Sequence, residues 1–368
     1  MKRFLALLSV LLTLFLISAC GASSPGETTQ PMTLPEPDRG IRNIIIVIGD
    51  GMGDNHIACW EKTVGRQTVF HDWQQVHANT NCLASDGISP TKTTDSAAAG
   101  TALATGQLTA QSRIGRDFKG DTDLQNIMEY AMDHLKSTGV ISTDAVFGAT
   151  PAAFSGHAYD RDDSTTIMYT QAYSNINLFC ANIHEDTTEM ISVITGNGYT
   201  YIMDPSKLSA NLSQPKLYCQ LGMAGHNPSV RLRDVIPTCL DYLDQDPDGF
   251  VLMIEQAHID KYSHSNDLEY AVDCVGMLDE GVCAILDWIG DRTDTAVIVT
   301  ADHETGGLTQ NEEGSFFYTS DTHSQAFVSV YTYGFTPDYT DLYLEEGVIK
   351  NTSVFTIAYD LLINPLQD

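Results

Sequence analysis

Apolar positions along the chain fall into short unbroken runs and longer stretches of helical period. Ile44 to Ile48 is a continuous β-branched run, the pattern of a strand buried on both faces. It ends at once in Gly49-Asp50-Gly51-Met52-Gly53. Asp121 to Thr138 is expected to be a helix, with Leu124, Ile127, Met128, Ala131 and Leu135 on one face and Gly139 as its stop. Val140 to Thr143 and Ile191 to Thr195 are expected to be short strands. Phe250 to Ile254 is apolar and runs into Glu255. The stripe Leu268, Val272, Val275, Leu278, Val282 and Ile285 predicts a long helix from Asp267 to Ile289, ended by Gly290. Ala296 to Val299 is a further buried strand that leads into Thr300-Ala301-Asp302-His303, and Ala326 to Tyr331 is a late one. The alternation predicts an α/β fold, a large, mostly parallel central sheet with helices on both faces.

Composition narrows what such a fold can serve. The chain has 368 residues, 43% of them hydrophobic and 18% charged, so it has ample material for a core. Its formal charge of −29 lacks the basic footprint that nucleic acids or anionic lipid surfaces require. The first residues stand apart. Lys2 and Arg3 precede an apolar run, Leu5 to Ile17, that is shorter than a membrane span and has the form of a signal-peptide core. It closes on Ile17-Ser18-Ala19-Cys20, which resembles a bacterial lipobox, with Cys20 as the lipidated residue. Residues 21–40, rich in Ser, Pro, Gly, Thr and Glu, read as a flexible tether, and residues 41–368 as the folded domain. The expected location is outside the cell membrane or in the periplasm, held by lipid. Of eight cysteines, seven follow Cys20, with no CxxC pair, so disulfides are permitted but their connectivity is not legible.

Three apolar runs lead into acids, Asp50, Glu255 and Asp302. In open α/β sheets ligands bind beyond the carboxyl ends of the strands, so these acids converge if their strands are neighbours. Asp260 and His264, spaced i, i+4, share one face of a helical turn. Asp302-His303 at a strand end and His323 ahead of the late strand add carboxylate and imidazole donors of the kind zinc takes. Thr94-Asp95-Ser96 opens a string of small residues, Ala97 to Gly106, in which Asp95 or Ser96 can cap a helix. A serine there lies in a field that favours an anion and can serve as a nucleophile or simply as a cap. No GxSxG elbow surrounds it, so a Ser-His-Asp hydrolase is unsupported. Arg161, one of few arginines, ends the stretch from Thr150 and offers a fork for phosphate oxygens or a partner for nearby acids.

Taken together, Gly49 to Gly53, Asp95 to Ala99, Thr150 to Arg161 and Thr300 to Gly307, with Glu255 to His264 and Thr322-His323 as weaker blocks, resemble the alkaline phosphatase family in kind and order. The resemblance implies hydrolysis of small phosphate monoesters through a phosphoserine on Ser96. It places Asp260, His264 and His323 at one zinc ion and Asp50, Ser96, Asp302 and His303 at a second. Asp50, Thr150 and Glu255 go to a magnesium ion, Arg161 to phosphate, and Lys261 to phosphate through water. The family's Asp or His two residues before the magnesium-site Thr is Gly148 here, so a weakened third site is expected. The chain is also shorter than many members, so a reduced insert or crown region is expected. Both a homodimer and a monomer stay open. Two other readings remain at this point: a diesterase or other hydrolase of the superfamily, and a phosphate-binding lipoprotein without turnover.

Overall fold

Asn43–Gly49 forms strand β1, buried at every position. A strand of this kind needs a neighbour on each edge and cover on each face. The computed structural model supplies both. It describes residues 40–91, 93–183, 188–223, 230–336 and 338–363. The expected leader, its Cys20 and the tether up to residue 39 lie outside them.

Nine further strands join β1 in one sheet. They are β2 (Gln74–Asn79), β3 (Ser137–Ala145), β4 (Leu178–Ile183), β5 (Thr200–Ile202), β6 (Leu217–Met223), β7 (Phe250–Gln256), β8 (Thr295–Thr300), β9 (Val328–Tyr333) and β10 (Ile349–Lys350). The order across the sheet is β10-β2-β9-β8-β1-β7-β3-β4-β6-β5. Only β9 runs antiparallel to its neighbours; the other pairings are parallel. Strand β1 lies between β7 and β8, with Ile48 opposite both Glu255 and Thr300. The three acid-terminated runs are therefore adjacent and end at the same edge of the sheet.

Helices cover both faces. On one, α6 (Leu268–Ile289), capped by Asp267 and stopped at Gly290, packs on β1 and β7 beside α1 (Asp54–Val64), α5 (His258–His264) and the helix Leu232–Leu243. On the other, the helix Thr352–Ile363 lies on β1 and packs against α2 (Ser96–Thr105) and α3 (Ile127–Asp133). Helix α4 (Ala149–Ser155) packs on α2. Every residue of α2 is buried, which is why its small side chains show no apolar stripe.

Two expected elements differ. The helix drawn from Asp121 to Thr138 is only Ile127–Asp133. Asp123 is taken by a bridge to Arg116, Asn126 caps the helix in a box with Glu129, and the chain turns at Leu135 with φ +61 to enter β3. The strand expected over Ile191 to Thr195 is part of a helix, Thr188–Gly196. A short β-branched run is ambiguous in period, and here an amphipathic surface helix places Ile194 inward. The seven described cysteines are all unbridged. Among the described residues no helix is long and apolar enough to cross a membrane.

Because Ile46 is fully buried between the two helical layers, Ile46→Ala should cost ~2–5 kcal/mol. Urea unfolding should report this as a lower midpoint with an unchanged slope.

Candidate active site

The turn after β1 brings the acids together. Asp50 follows the strand directly, and Gly51 adopts φ +73. A Cβ at Gly51 would lie 2.8 Å from Asp260 Cα and 2.9 Å from Thr305 Oγ1, so only glycine permits this approach. The Gly51 N–H donates to Asp302 Oδ1 at 3.1 Å, and the His303 N–H donates to the same oxygen at 2.9 Å. Two groups of donors result, one of Asp260, His264 and His323, the other of Asp50, Asp302 and His303. The rings of His303 and His323 stack with centroids 3.6 Å apart and join the two.

The proton positions follow from the partners. His264 Nδ1 lies 2.6 Å from the carbonyl oxygen of Asp321, and His323 Nδ1 lies 2.8 Å from that of Thr94. Carbonyls only accept, so both Nδ1 atoms carry the proton. Both Nε2 atoms then present lone pairs, 3.1 Å from each other and 3.3 and 3.6 Å from Asp260 Oδ1. The same logic holds for His303. Thr305 donates its hydroxyl to Asp260 Oδ1 at 2.5 Å and so accepts from His303 Nδ1 at 3.2 Å. The Nε2 lone pair of His303 then faces Asp302 Oδ2 at 3.2 Å, Asp50 Oδ1 at 3.6 Å and Ser96 Oγ at 3.1 Å. Asp50 Oδ1 and Asp302 Oδ2 are buried without a hydrogen-bond partner. Lone pairs and carboxyl oxygens that converge with no N–H donor between them fit a cation in each group. The mixture of imidazole nitrogen and carboxylate oxygen suits zinc.

Ser96 is the first residue of α2. Asp95 caps the helix by accepting from the Ala98 N–H at 3.0 Å with Oδ1. Its Oδ2 accepts from Arg161 Nη1 at 3.2 Å and from the Ser112 N–H at 3.0 Å. Three consecutive residues thus fasten the site: the Thr94 carbonyl orients His323, Asp95 holds Arg161, and Ser96 meets His303. Helix α2 can lie this close because its residues are small. A Cβ at Gly100 would come within 3.3 Å of Thr150 Cα and 3.2 Å of Ala153 Cβ.

Beside the second group, Glu255 is buried and accepts from the Ser142 hydroxyl. Thr150 Oγ1, also buried, has no hydrogen-bond partner. Lys261 Nζ lies 2.5 Å from Asp144 Oδ1. Burial dominates the electrostatics. It pushes Glu255 up to about 8, with Asp144 and Asp302 adding to it. It lifts Asp302 to about 6 and drives Asp50 well above the carboxylate range, helped by Asp302, Asp260 and Glu255. It depresses His303 to about 3, with His323 adding to the effect. Such a site is costly to charge without counter-ions.

The structure gathers Asp50, Ser96, Arg161, Asp260, His264, Asp302, His303 and His323 around one sheet edge, with Glu255 buried beside Asp50 and Lys261 turned to Asp144. Sequence reasoning missed Thr305, Asp144 and Ser142, and gave Asp95 only the cap. Thr305 stands three residues after Asp302 in the same block, which is the signal that could have found it. His258, near the site in sequence, lies instead 3.1 Å from Thr143 Oγ1, and His157 pairs with Glu129.

A sheet edge that gathers a serine at a helix start, a half-buried arginine and two His–carboxylate groups defines a hydrolase-type α/β site for an anionic ester. The family model described as alkaline phosphatase matches residues 41–217 and 220–356. Alkaline phosphatase 4 of Bacillus subtilis strain 168 is 28% identical over 87% of this chain and 72% of its own length. Alkaline phosphatase 3 of the same strain is 27% identical over 87% and 74%. The solved alkaline phosphatase of the Antarctic bacterium TAB5 superposes with a TM-score of 0.76 at 22% identity, covering 88% of this chain and 98% of that one. The chain belongs to the alkaline phosphatase family, and it is a phosphatase.

The raised carboxyls predict how the metal-free fold responds to pH. Groups whose folded pKa exceeds the unfolded value contribute stability that is full below the unfolded value and lost as pH rises through the folded one. His303 acts in the opposite sense, but only below its ordinary value of 6.5. From pH 6.5 to about 8 the loss at Glu255 therefore acts unopposed. The melting temperature of the EDTA-stripped protein should fall across that window, and reloading with zinc and magnesium should flatten the curve. A rise in the stripped protein would contradict the assignment.

Proposed function

We propose that this chain hydrolyses phosphate monoesters through a phosphoserine on Ser96, with two zinc ions and a third divalent cation as cofactors. The observation that carries the reading is the position of Ser96 Oγ, 3.1 Å from the lone pair of His303 Nε2 and one residue from the acid that holds Arg161. In support of a third cation, a mutant of the TAB5 enzyme has been solved with Mg bound in the M3 site.

Asp260, His264 and His323 would hold one zinc ion and Asp50, Asp302 and His303 the other. Bound there, zinc supplies Lewis acidity that lowers hydroxyl pKa values and neutralises charge on leaving and attacking oxygens. Arg161 presents its guanidinium to two phosphate oxygens, and Asp95 keeps that fork beside Ser96. The N-terminus of α2 adds a field that favours the anion. Ser96 Oγ attacks phosphorus; the Ser96–phosphorus bond forms as the bond to the ester oxygen breaks. Water then attacks phosphorus, the bond to Ser96 Oγ breaks, and inorganic phosphate leaves. Over both steps the proton from Ser96 goes to the alcohol and one from water restores the hydroxyl. Lys261, paired with Asp144, would reach phosphate through water.

The chain is exported and held at the membrane by lipid on Cys20 in this reading. A Cys20→Ser protein should leave the detergent phase on phase partition. A wild-type chain that stays in the aqueous phase would contradict the anchor.

The test of the activity is p-nitrophenyl phosphate hydrolysis by the purified chain before and after EDTA, with zinc returned. Activity should disappear and return, and exceed that on a diester or a sulfate ester. Ser96→Ala should lose at least ~100-fold in kcat while keeping its zinc. Preferred turnover of the diester would overturn the monoester reading.

A further inference from the structure

Position 148 gives the pocket around Glu255 no side chain, yet the space beside it is filled. A Cβ built on Gly148 would lie 3.0 Å from the Ala145 carbonyl oxygen and 3.2 Å from Asp144 Oδ2. The carboxylate of Asp144 stands where a side chain at 148 would grow. A bulge puts it there. Strand β3 pairs Ser142 with Ala181 and then jumps to Ala145 with Asn182, so the register skips Thr143 and Asp144, and the Thr143 carbonyl accepts from the Asn182 side chain instead. Bulges of this kind bend a strand and re-aim its side chains, often beside active sites. The Asp144 N–H bonds to Ser142 Oγ at 2.9 Å, and that hydroxyl donates onward to Glu255. Asp144 Oδ1 takes the ammonium of Lys261 at 2.5 Å.

We propose that Asp144 replaces the side chain missing at 148: it completes an oxygen-lined pocket with Asp50, Thr150 and Glu255 for a hard divalent cation, magnesium in class, and pins Lys261 at its rim. The proposal deepens the reading above and rests on it. Glu255 feels the charge of both Asp144 and Lys261, and Asp50 feels that of Glu255. One buried oxygen on α4, Thr150 Oγ1, has no hydrogen-bond partner, while Asp50 Oδ1 faces His303 and the second donor group. Carboxylates and a hydroxyl without nitrogen or sulfur select magnesium over zinc. The weakened third site expected from Gly148 alone is thereby replaced by a competent one, built from a different position.

The experiment titrates magnesium calorimetrically into the EDTA-stripped, zinc-reloaded full chain, with zinc content measured alongside. The set is wild type, Asp144→Asn, Asp144→Ala, and Asp144→Ala combined with Gly148→Asp. Wild type should bind one magnesium per chain. Both single variants should bind it ~10- to 100-fold more weakly, the range for lost supporting groups at metal sites. Asp144→Asn keeps the shape of the side chain, so its loss reports charge. The double variant should recover most of the affinity, which a merely structural role for Asp144 would not produce. Magnesium binding that is indifferent to residue 144 would overturn the proposal alone; magnesium absent from a wild type holding two zinc ions would overturn it together with the third cation of the reading above. A wild type that takes up no zinc would overturn the two-zinc reading and the proposal with it.

Discussion

The site depends on where three imidazole protons point. His264, His303 and His323 each turn Nδ1–H toward an oxygen of the chain, the Asp321 carbonyl, the Thr305 hydroxyl and the Thr94 carbonyl. Their Nε2 lone pairs are left converging with Asp50, Asp260 and Asp302 in a pocket that is buried around Asp50, Asp302 and His303 and open to solvent at His264. Without a cation, lone pairs repel and buried carboxylates hold protons, as the raised Asp50, Asp302 and Glu255 indicate. The pre-set tautomers make the pocket a poor place for anything but positive charge, and charge compensation is what an anionic ester then meets.

The fold imposes this arrangement through few connections. Strands β7, β1 and β8 are adjacent and parallel, so their carboxyl ends deliver acids to one edge. The small residues of α2 let residues 94–96 reach that edge from the side. Each of these three residues fastens a different part of the site, so small movements of α2 would disturb His323, Arg161 and Ser96 together. Thr305 ties the two donor groups to one another through Asp260 and His303.

Much of this was legible in the sequence, for a physical reason. A strand buried on both faces must be an unbroken apolar run, so the acid that ends it is conspicuous; Asp50, Glu255 and Asp302 stood out on that ground. The i, i+4 spacing of Asp260 and His264 places both on one side of α5. Less legible were elements whose form is decided by tertiary context. Ile191 to Thr195 has strand-like composition but lies in a surface helix, and Asp121 to Gln125 has helical period but belongs to a loop tied to Arg116. The capping box from Asn126 to Glu129 marked the true start. Asp144 was beyond reach, because its place depends on a bulge and on the empty position at Gly148, neither of which leaves a periodic trace.

The central claim is that two cations sit on the two sets of lone pairs. Crystals of the zinc-loaded chain, measured on both sides of the zinc absorption edge, test it most directly. The account predicts two anomalous peaks, one bounded by Asp260, His264 and His323 and the other by Asp50, Asp302 and His303, with Ser96 Oγ facing the second. Zinc bound elsewhere, or a single peak with His303 turned away from Asp50, would contradict it.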